Sequence, residues 1–226
     1  IWKGLVGSEM CIRDSPDALI AVAAAENNEA ITKAIWGDEM GWVPWQRPGF
    51  DLGLQLEKCL ADNPKIRGIV LGSHGLFTWG DTSLECYENS LEVIEKASND
   101  IEEKISQNKV VFAGQKVKPL SDNQRQQKAS ELMPVLRGLC SSENQMVGHF
   151  TDDDKVLSFI NSYDLDRLAP MGTSCPDHFL RTKIQPLIIP LKPDTDATNV
   201  DLLKKELSPS FENYRRIYKE YYEACR

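Results

Sequence analysis

Histidine is scarce in this chain, positive charge is in deficit, and no apolar run is long enough to cross a bilayer. The 226 residues carry 26 lysines and arginines against 34 aspartates and glutamates, a formal net charge of -8. Such a chain offers no basic surface to neutralise a phosphate backbone, which excludes nucleic-acid partners from the expectation. The longest apolar candidate, Ala18 to Ala25, falls far short of the roughly 20 residues of a membrane helix, so no membrane partner is expected either. The six cysteines (Cys11, Cys59, Cys86, Cys140, Cys175 and Cys225) lie far apart with no Cys-x-x-Cys pair. Reduced thiols in a cytoplasmic protein are the reading that fits. Also missing are Gly-x-Ser-x-Gly, a P-loop and Gly-x-Gly-x-x-Gly, which leaves serine-hydrolase, nucleotidyl and dinucleotide-binding readings without support. Neither His-x-His nor His-Glu-x-x-His is present.

What the chain does contain is enough apolar residues, 41% of the total, to bury one substantial core. Pro16 and Asp17 suit the first turn of a helix through Ala18 to Ala25, and a second helix spans Glu29 to Trp36. A loop follows from Gly37 to Gly49, with a short strand at Trp42 and Val43. Leu52, Leu54, Leu56 and Leu60 lie on a helix ended by Asn63-Pro64. Ile66 to Gly72 and Leu76 to Trp79 read as two buried strands with His74 at the tip between them. Thr82-Ser83-Leu84-Glu85 has capping-box spacing and opens a helix to about Asn108. Its three- and four-residue steps place Leu84, Tyr87, Leu91, Ile94, Ala97, Ile101 and Ile105 on one dry face. Beyond a connector from Val110 to Leu120 come a helix over Asp122 to Leu139 interrupted near Pro134, a strand-like Leu187 to Leu191, and a final helix from about Phe211 to Cys225. Interleaved strands and helices predict an α/β (α+β) fold. Residues 1–15 show neither helical nor strand periodicity.

Three histidines, His74, His149 and His178, are the candidates for metal or acid–base chemistry. His74 leads, because Ser73 and Gly75 hold it on rigid backbone between two buried strands, where a ligand must be held. A catalytic zinc site normally takes three protein ligands and leaves one position open, and these residues alone do not complete one.

The segment Val43-Pro44-Trp45-Gln46-Arg47-Pro48-Gly49-Phe50-Asp51-Leu52-Gly53, followed by Ile69-Val70-Leu71-Gly72-Ser73-His74-Gly75-Leu76-Phe77-Thr78-Trp79-Gly80-Asp81, closely resembles the class II aldolase/adducin domain. The resemblance implies a layered fold with a central β-sheet flanked by helices, here incomplete at its N-terminus. It also implies Zn2+ as cofactor, with His74 as one metal ligand. The family's other two zinc histidines come from a His-x-His-Pro motif that would fall at Arg13 and Ser15, directly before Pro16-Asp17-Ala18, and there this sequence departs from the pattern. The family's acid/base glutamate and phosphate loop lie further upstream, so no catalytic residue is assigned. The stretch Leu5 to Ser15 resembles the translation of a transposase-based sequencing adapter, which makes residues 1–15 a non-native segment and 16–110 the C-terminal part of the aldolase domain.

In the second half, Arg167-Leu168-Ala169-Pro170-Met171-Gly172-Thr173-Ser174-Cys175-Pro176-Asp177-His178-Phe179-Leu180-Arg181-Thr182-Lys183 resembles the middle region of bifunctional enzymes that join rhamnulose-1-phosphate aldolase to a short-chain dehydrogenase. Residues 111–226 are then connector and middle region. Cys175-Pro176-Asp177-His178 echoes Ser15-Pro16-Asp17-Ala18, as the start of a degenerate second copy would. The resemblance implies a sugar-phosphate substrate, a homo-oligomeric parent, and NAD(P) bound only by a dehydrogenase domain outside this chain. It implies that this chain, with one zinc histidine of three, binds zinc weakly, lacks aldolase activity and tends to aggregate. A sugar-phosphate 4-epimerase and a non-catalytic adducin-like interaction module are the alternatives.

Overall fold

Three short apolar runs and the segment Met10–Asp14 pair into one sheet. The structure, a computed structural model, describes residues 10–107, 110–189 and 199–226. Two compact units divide it: Ile1–Lys109 with Thr173–Thr182, and Val110–Gly172 with Lys183–Arg226.

In the first unit the elements are β1 (Met10–Asp14), α1 (Asp17–Ala23), α2 (Asn28–Trp36), β2 (Met40–Val43), α3 (Phe50–Asp62), β3 (Gly68–Leu71), β4 (Gly75–Gly80) and α4 (Ser83–Gln107). The sheet order is β1-β4-β3-β2; β4 is antiparallel to both neighbours, and β2 runs parallel to β3. Successive residues of a strand face opposite sides, so Val70 and Leu76 enter one core with Leu19, Val22, Trp36, Val93 and Ala97. Ile69, Leu71 and Phe77 enter the other, with Leu52 and Leu56 of α3. A sheet covered on both faces by helices explains why every residue of β3 is buried. This is the predicted α/β class, with a central sheet flanked by helices.

Two expectations for this unit need correction. Residues 10–14, which carry no strand pattern, form β1, because an edge strand is held by main-chain pairing to β4 and needs only occasional side-chain anchors such as Cys11. Residues 1–9 of the adapter-like stretch lie outside the described residues. The second correction concerns α4: of the predicted row, Ala97 is buried and Ile94 packs on the core, but the rest of the inward face is Cys86, Ser90 and Val93, whereas Leu84, Tyr87, Leu91 and Ile105 are exposed. Small residues bring this helix close to β4: Ser90 Oγ lies 2.6 Å from Thr78 Oγ1, and Cys86 Sγ donates to the Thr78 carbonyl at 3.6 Å. The predicted cap is present, with the Glu85 N–H donating to Thr82 Oγ1 at 3.1 Å and the Asp81 N–H donating to Glu85 Oε2 at 2.8 Å. Asn108, the predicted end of the helix, is outside the described residues.

The second unit contains α5 (Asp122–Cys140), α6 (Asp154–Ile160), α7 (Leu165–Leu168) and α9 (Val200–Ala224). Its core is Val135, Leu203, Leu207 and Phe211. No strand forms there among the described residues, so the interleaving read from the sequence holds for the first unit only. Pro134 lies inside α5 without interrupting it; the lost main-chain bond is outweighed by burial of Val135 with Leu132, Leu136 and Leu139 around it. The final helix begins at Val200, well before Phe211, and takes in Pro209. Leu187–Ile189 is not a strand, although Leu187 and Ile189 pack on this core; residues 190 and 191 of that expectation are outside the described residues. No helix among the described residues is long and apolar enough to cross a membrane.

All six cysteines are free. Burial pushes the Cys11 thiol up to about 11, with Cys86 adding to the effect, while Cys140 and Cys225 are exposed. Iodoacetamide near neutral pH should therefore label Cys140 and Cys225 first, and Cys11 on the order of a hundredfold more slowly, because the thiolate is the reactive form. Peptide mass spectrometry over a time course reads this order; equal labelling of Cys11 would mean that β1 does not pack as described.

Candidate functional site around His74

The tip between β3 and β4 is fixed from three sides. The Ser73 N–H donates to the Ala23 carbonyl at the end of α1 at 2.7 Å, the Gly72 N–H to the Val43 carbonyl at 2.9 Å, and the His74 N–H back to the Leu71 carbonyl at 3.0 Å. Ser73 takes a positive φ of 54°, a conformation that a non-glycine residue adopts at a cost and keeps only where its surroundings enforce it. Gly75 has no side chain, and a Cβ there would lie 2.6 Å from the Asp14 carbonyl oxygen. This absence lets the end of β1 pass directly beside the tip. The tip also lies beyond the C-terminal ends of the parallel pair β2 and β3, the end of a sheet at which α/β folds place their ligands.

His74 is 2% exposed, and neither of its ring nitrogens has a hydrogen-bond partner among the described residues. Burial lowers its pKa; the nearby Arg13 lowers it further, and Asp177 opposes the shift. The ring is thus held neutral, with nitrogen lone pair intact. That is the state in which histidine ligates a metal or accepts a proton.

A carboxylate stands near it. Asp177 lies on α8 (Pro176–Arg181), in the segment Thr173–Thr182 that belongs to the first unit. Its Oδ2 accepts from Arg13 Nη2 at 2.9 Å and from Ser15 Oγ at 2.9 Å, and its Oδ1 accepts from Arg13 Nη2 at 3.1 Å. The Ser15 hydrogen bond, against the opposing effect of burial and with help from the positive charge and hydrogen bond of Arg13, holds the Asp177 carboxyl below the usual range. Asp177 is therefore an anion whose two oxygens are already engaged.

Of the sequence candidates, then, His74 is buried at the site, while His149 is exposed in the second unit. His178 is half-buried on α8. Asp177 entered the sequence reading only as part of a Pro-Asp helix start; nothing in sequence spacing joins it to Arg13, 164 residues away. A cleft of about 270 Å3 lined by Thr32, Met40, Trp42, Cys59, Asn63 and Ile66 also lies in the first unit, and His74 is not among its walls.

His74 suits a zinc ligand, but the set around it does not complete a zinc site. Among the described residues no three His, Cys, Asp or Glu side chains converge, and the positions beside His74 hold a guanidinium and a hydroxyl. A guanidinium cannot ligate a cation and repels one.

Comparison with known proteins adds the following. A family model described as "Class II Aldolase and Adducin N-terminal domain" matches residues 15–99, and one described as "Aldolase class II, second domain" matches residues 127–226. The uncharacterized oxidoreductase YuxG of Bacillus subtilis (strain 168) is 36% identical over 205 residues, which are 90% of this chain and 30% of that protein. The chain thus spans about 30% of the length of that relative. Among solved structures, the N-terminal class II aldolase domain of a conserved protein from Thermoplasma acidophilum is 30% identical with a TM-score of 0.37, over 40% of this chain and 41% of that one. An aldolase II superfamily protein from Pseudomonas syringae is 18% identical with a TM-score of 0.34, over 51% of this chain and 46% of that one.

Proposed function

We propose, for a chain that belongs to the class II aldolase family and carries its N-terminal and second-domain sequences, that it is part of a sugar-phosphate aldolase whose metal site is built on His74. The observation that carries this reading is the buried imidazole, both of whose nitrogens lack a partner among the described residues. A buried polar group without a partner costs about 1–3 kcal/mol, which a core residue has no reason to retain and a ligand does. The reaction of the parent is retro-aldol cleavage of a ketose phosphate. The resemblance of Arg167 to Lys183 supports rhamnulose 1-phosphate as the substrate, giving dihydroxyacetone phosphate and lactaldehyde. A dehydrogenase elsewhere in the same polypeptide, acting on lactaldehyde with NAD(P), is in keeping with the oxidoreductase name of the relative, of which this chain matches only 30%.

The chain in its present sequence does not use this chemistry, because Arg13 and Ser15 stand where donors are needed. One further reading has an observation in its favour: the same Arg13–Asp177 pair fits a metal-less interaction module of the adducin type.

Calorimetric titration with zinc chloride separates the two. The unsubstituted chain is expected to show no stoichiometric binding, the R13H/S15H variant to take up one equivalent, and His74→Ala in that background to abolish it. Failure of R13H/S15H to bind, or binding that survives the loss of His74, would favour the interaction module.

A further inference from the structure

At the edge of the sheet remote from β1, the main chain of β2 opens on a cleft. The strand order β1-β4-β3-β2 gives β2 a neighbour on one side only, and the cleft of about 270 Å3 is lined by Met40, Gly41 and Trp42 of this strand. We propose that the free edge of β2 is a docking site for an extended peptide segment of another polypeptide, which adds to the sheet as a further strand between α2 and α3. This is independent of the reading given for His74.

The direction of the main-chain groups carries the argument. Along a strand, residues that bond the neighbour on one side alternate with residues whose N–H and C=O face the other side. The Arg67 N–H donates to the Glu39 carbonyl at 3.0 Å and the Gly72 N–H to the Val43 carbonyl at 2.9 Å, so Glu39, Gly41 and Val43 turn their main chain toward β3. Met40 and Trp42 turn theirs outward. The Trp42 carbonyl agrees, since it accepts from Cys59 Sγ of α3 at 3.9 Å, and a thiol is a weak donor. The N–H groups of Met40 and Trp42 have no hydrogen-bond partner among the described residues. Met40 is nonetheless only 5% exposed and Trp42 is half-buried. Main-chain groups in such a position are nearly always paired, and an open strand edge is a ready template for another chain.

The walls decide what fits. Glu29, Thr32 and Lys33 of α2 stand on one side of the cleft, with Cys59 of α3 and its C-cap Asn63 on the other; the two helices pack on opposite faces of the sheet. Gly41 lets α3 come close, since a Cβ there would lie 2.6 Å from Cys59 Sγ and 2.8 Å from Ile66 Cδ1. At about 270 Å3 the cleft is smaller than the roughly 300–1,000 Å3 of a pocket for a drug-sized ligand. A second copy of this sheet would bring its own flanking helices, for which there is no room. A single extended chain brings none, and it offers N–H and C=O groups at alternate residues about 4.8 Å from β2. Strand addition of this kind takes affinity from main-chain bonds and selectivity from alternate side chains. Here those side chains meet Thr32 on one face and Cys59 with Ile66 on the other, which suits small or apolar residues.

Amide hydrogen exchange of the full chain, read by NMR, is the first test: Gly41 and Val43 are expected to be protected by β3, and Met40 and Trp42 to exchange faster. Random linear peptides displayed on phage are then selected on the chain and counter-selected on two variants, Cys59→Phe, which fills the cleft, and Asn63→Trp, which crowds it from the exposed rim. Circular dichroism melts establish that each variant is folded. A selected peptide, made synthetically, should slow exchange at Met40 and Trp42 and leave Gly41 and Val43 unchanged. N-methylation of alternate residues of that peptide should weaken binding about tenfold or more in one row, through the loss of two main-chain bonds, and leave it nearly unchanged in the other. Equal protection of all four amides in the free chain would overturn the proposal, and protection that grows with protein concentration would assign the edge to a second copy instead. Equal effects of the two N-methylated rows, or no peptide that distinguishes the chain from a folded filled variant, would overturn it as well.

Discussion

His74→Leu should make the metal-free chain more stable by about 1–3 kcal/mol, the penalty for an unsatisfied buried polar group. The ring is 2% exposed, both nitrogens lack a partner among the described residues, and leucine keeps a similar volume without a polar atom. For a unit of roughly a hundred residues, each kcal/mol moves Tm by about 4–8 °C, so the gain is visible in an ordinary thermal or urea melt. A stabilising substitution at a fully buried position is unusual, since most core changes cost stability. It is expected where a side chain is kept for what it binds. The backbone anchors of the tip are main-chain bonds, from Ser73 to Ala23, from Gly72 to Val43 and from His74 to Leu71, and leucine preserves all of them. A loss of 1 kcal/mol or more in His74→Leu would show that the imidazole is satisfied in solution, and would remove the principal support for a metal ligand at this position.

Local signals were legible in the sequence where the determining interaction is itself local. Thr82 and Glu85 cap α4 as their spacing predicts. The glycine-bounded run from Ile66 to Gly72 gives a strand with His74 at the following tip, because three consecutive apolar residues, Ile69 to Leu71, between two glycines have few other solutions. β1 was not legible, since its stability comes from main-chain pairing with Gly75–Gly80 and its side chains carry no alternating pattern. Nor was Asp177, whose partners Arg13 and Ser15 lie 164 and 162 residues away. A helix start reads the same in sequence whether its aspartate caps the helix, faces solvent or enters a site. The Ser15 hydroxyl and the Arg13 guanidinium give it the third role.

The face of α4 was legible in period but only partly in phase, since Ile94 and Ala97 pack inward while Leu84, Tyr87 and Leu91 do not, and this carries the second large effect. Val93→Asp is expected to cost more than about 3 kcal/mol, because it places an unpaired carboxylate in a dry core, whereas Leu91→Asp should lie within about 0.5 kcal/mol of the unsubstituted chain. Volume favoured the row Leu84, Tyr87 and Leu91, yet Leu91 is 47% exposed and Val93 is 0%. What decides the phase is how closely the helix approaches β4. A Cβ on Gly80 would stand 2.6 Å from the Cys86 nitrogen, so the strand end and the helix start meet with no room for a larger residue. Ser90 satisfies its hydroxyl on Thr78 and on the Cys86 carbonyl, at 2.9 Å for the latter, and so can be buried where a longer polar side chain could not. Small residues at 86, 90 and 97 thus admit the sheet, Val93 fills the remaining space among Leu19, Val22 and Leu76, and the larger side chains turn outward because the gap is too narrow for them. Urea melts of the two aspartate variants, followed by circular dichroism, measure the difference directly. Equal losses at 91 and 93 would mean that the larger row faces the core after all, and the close packing of α4 on β4 would have to be given up.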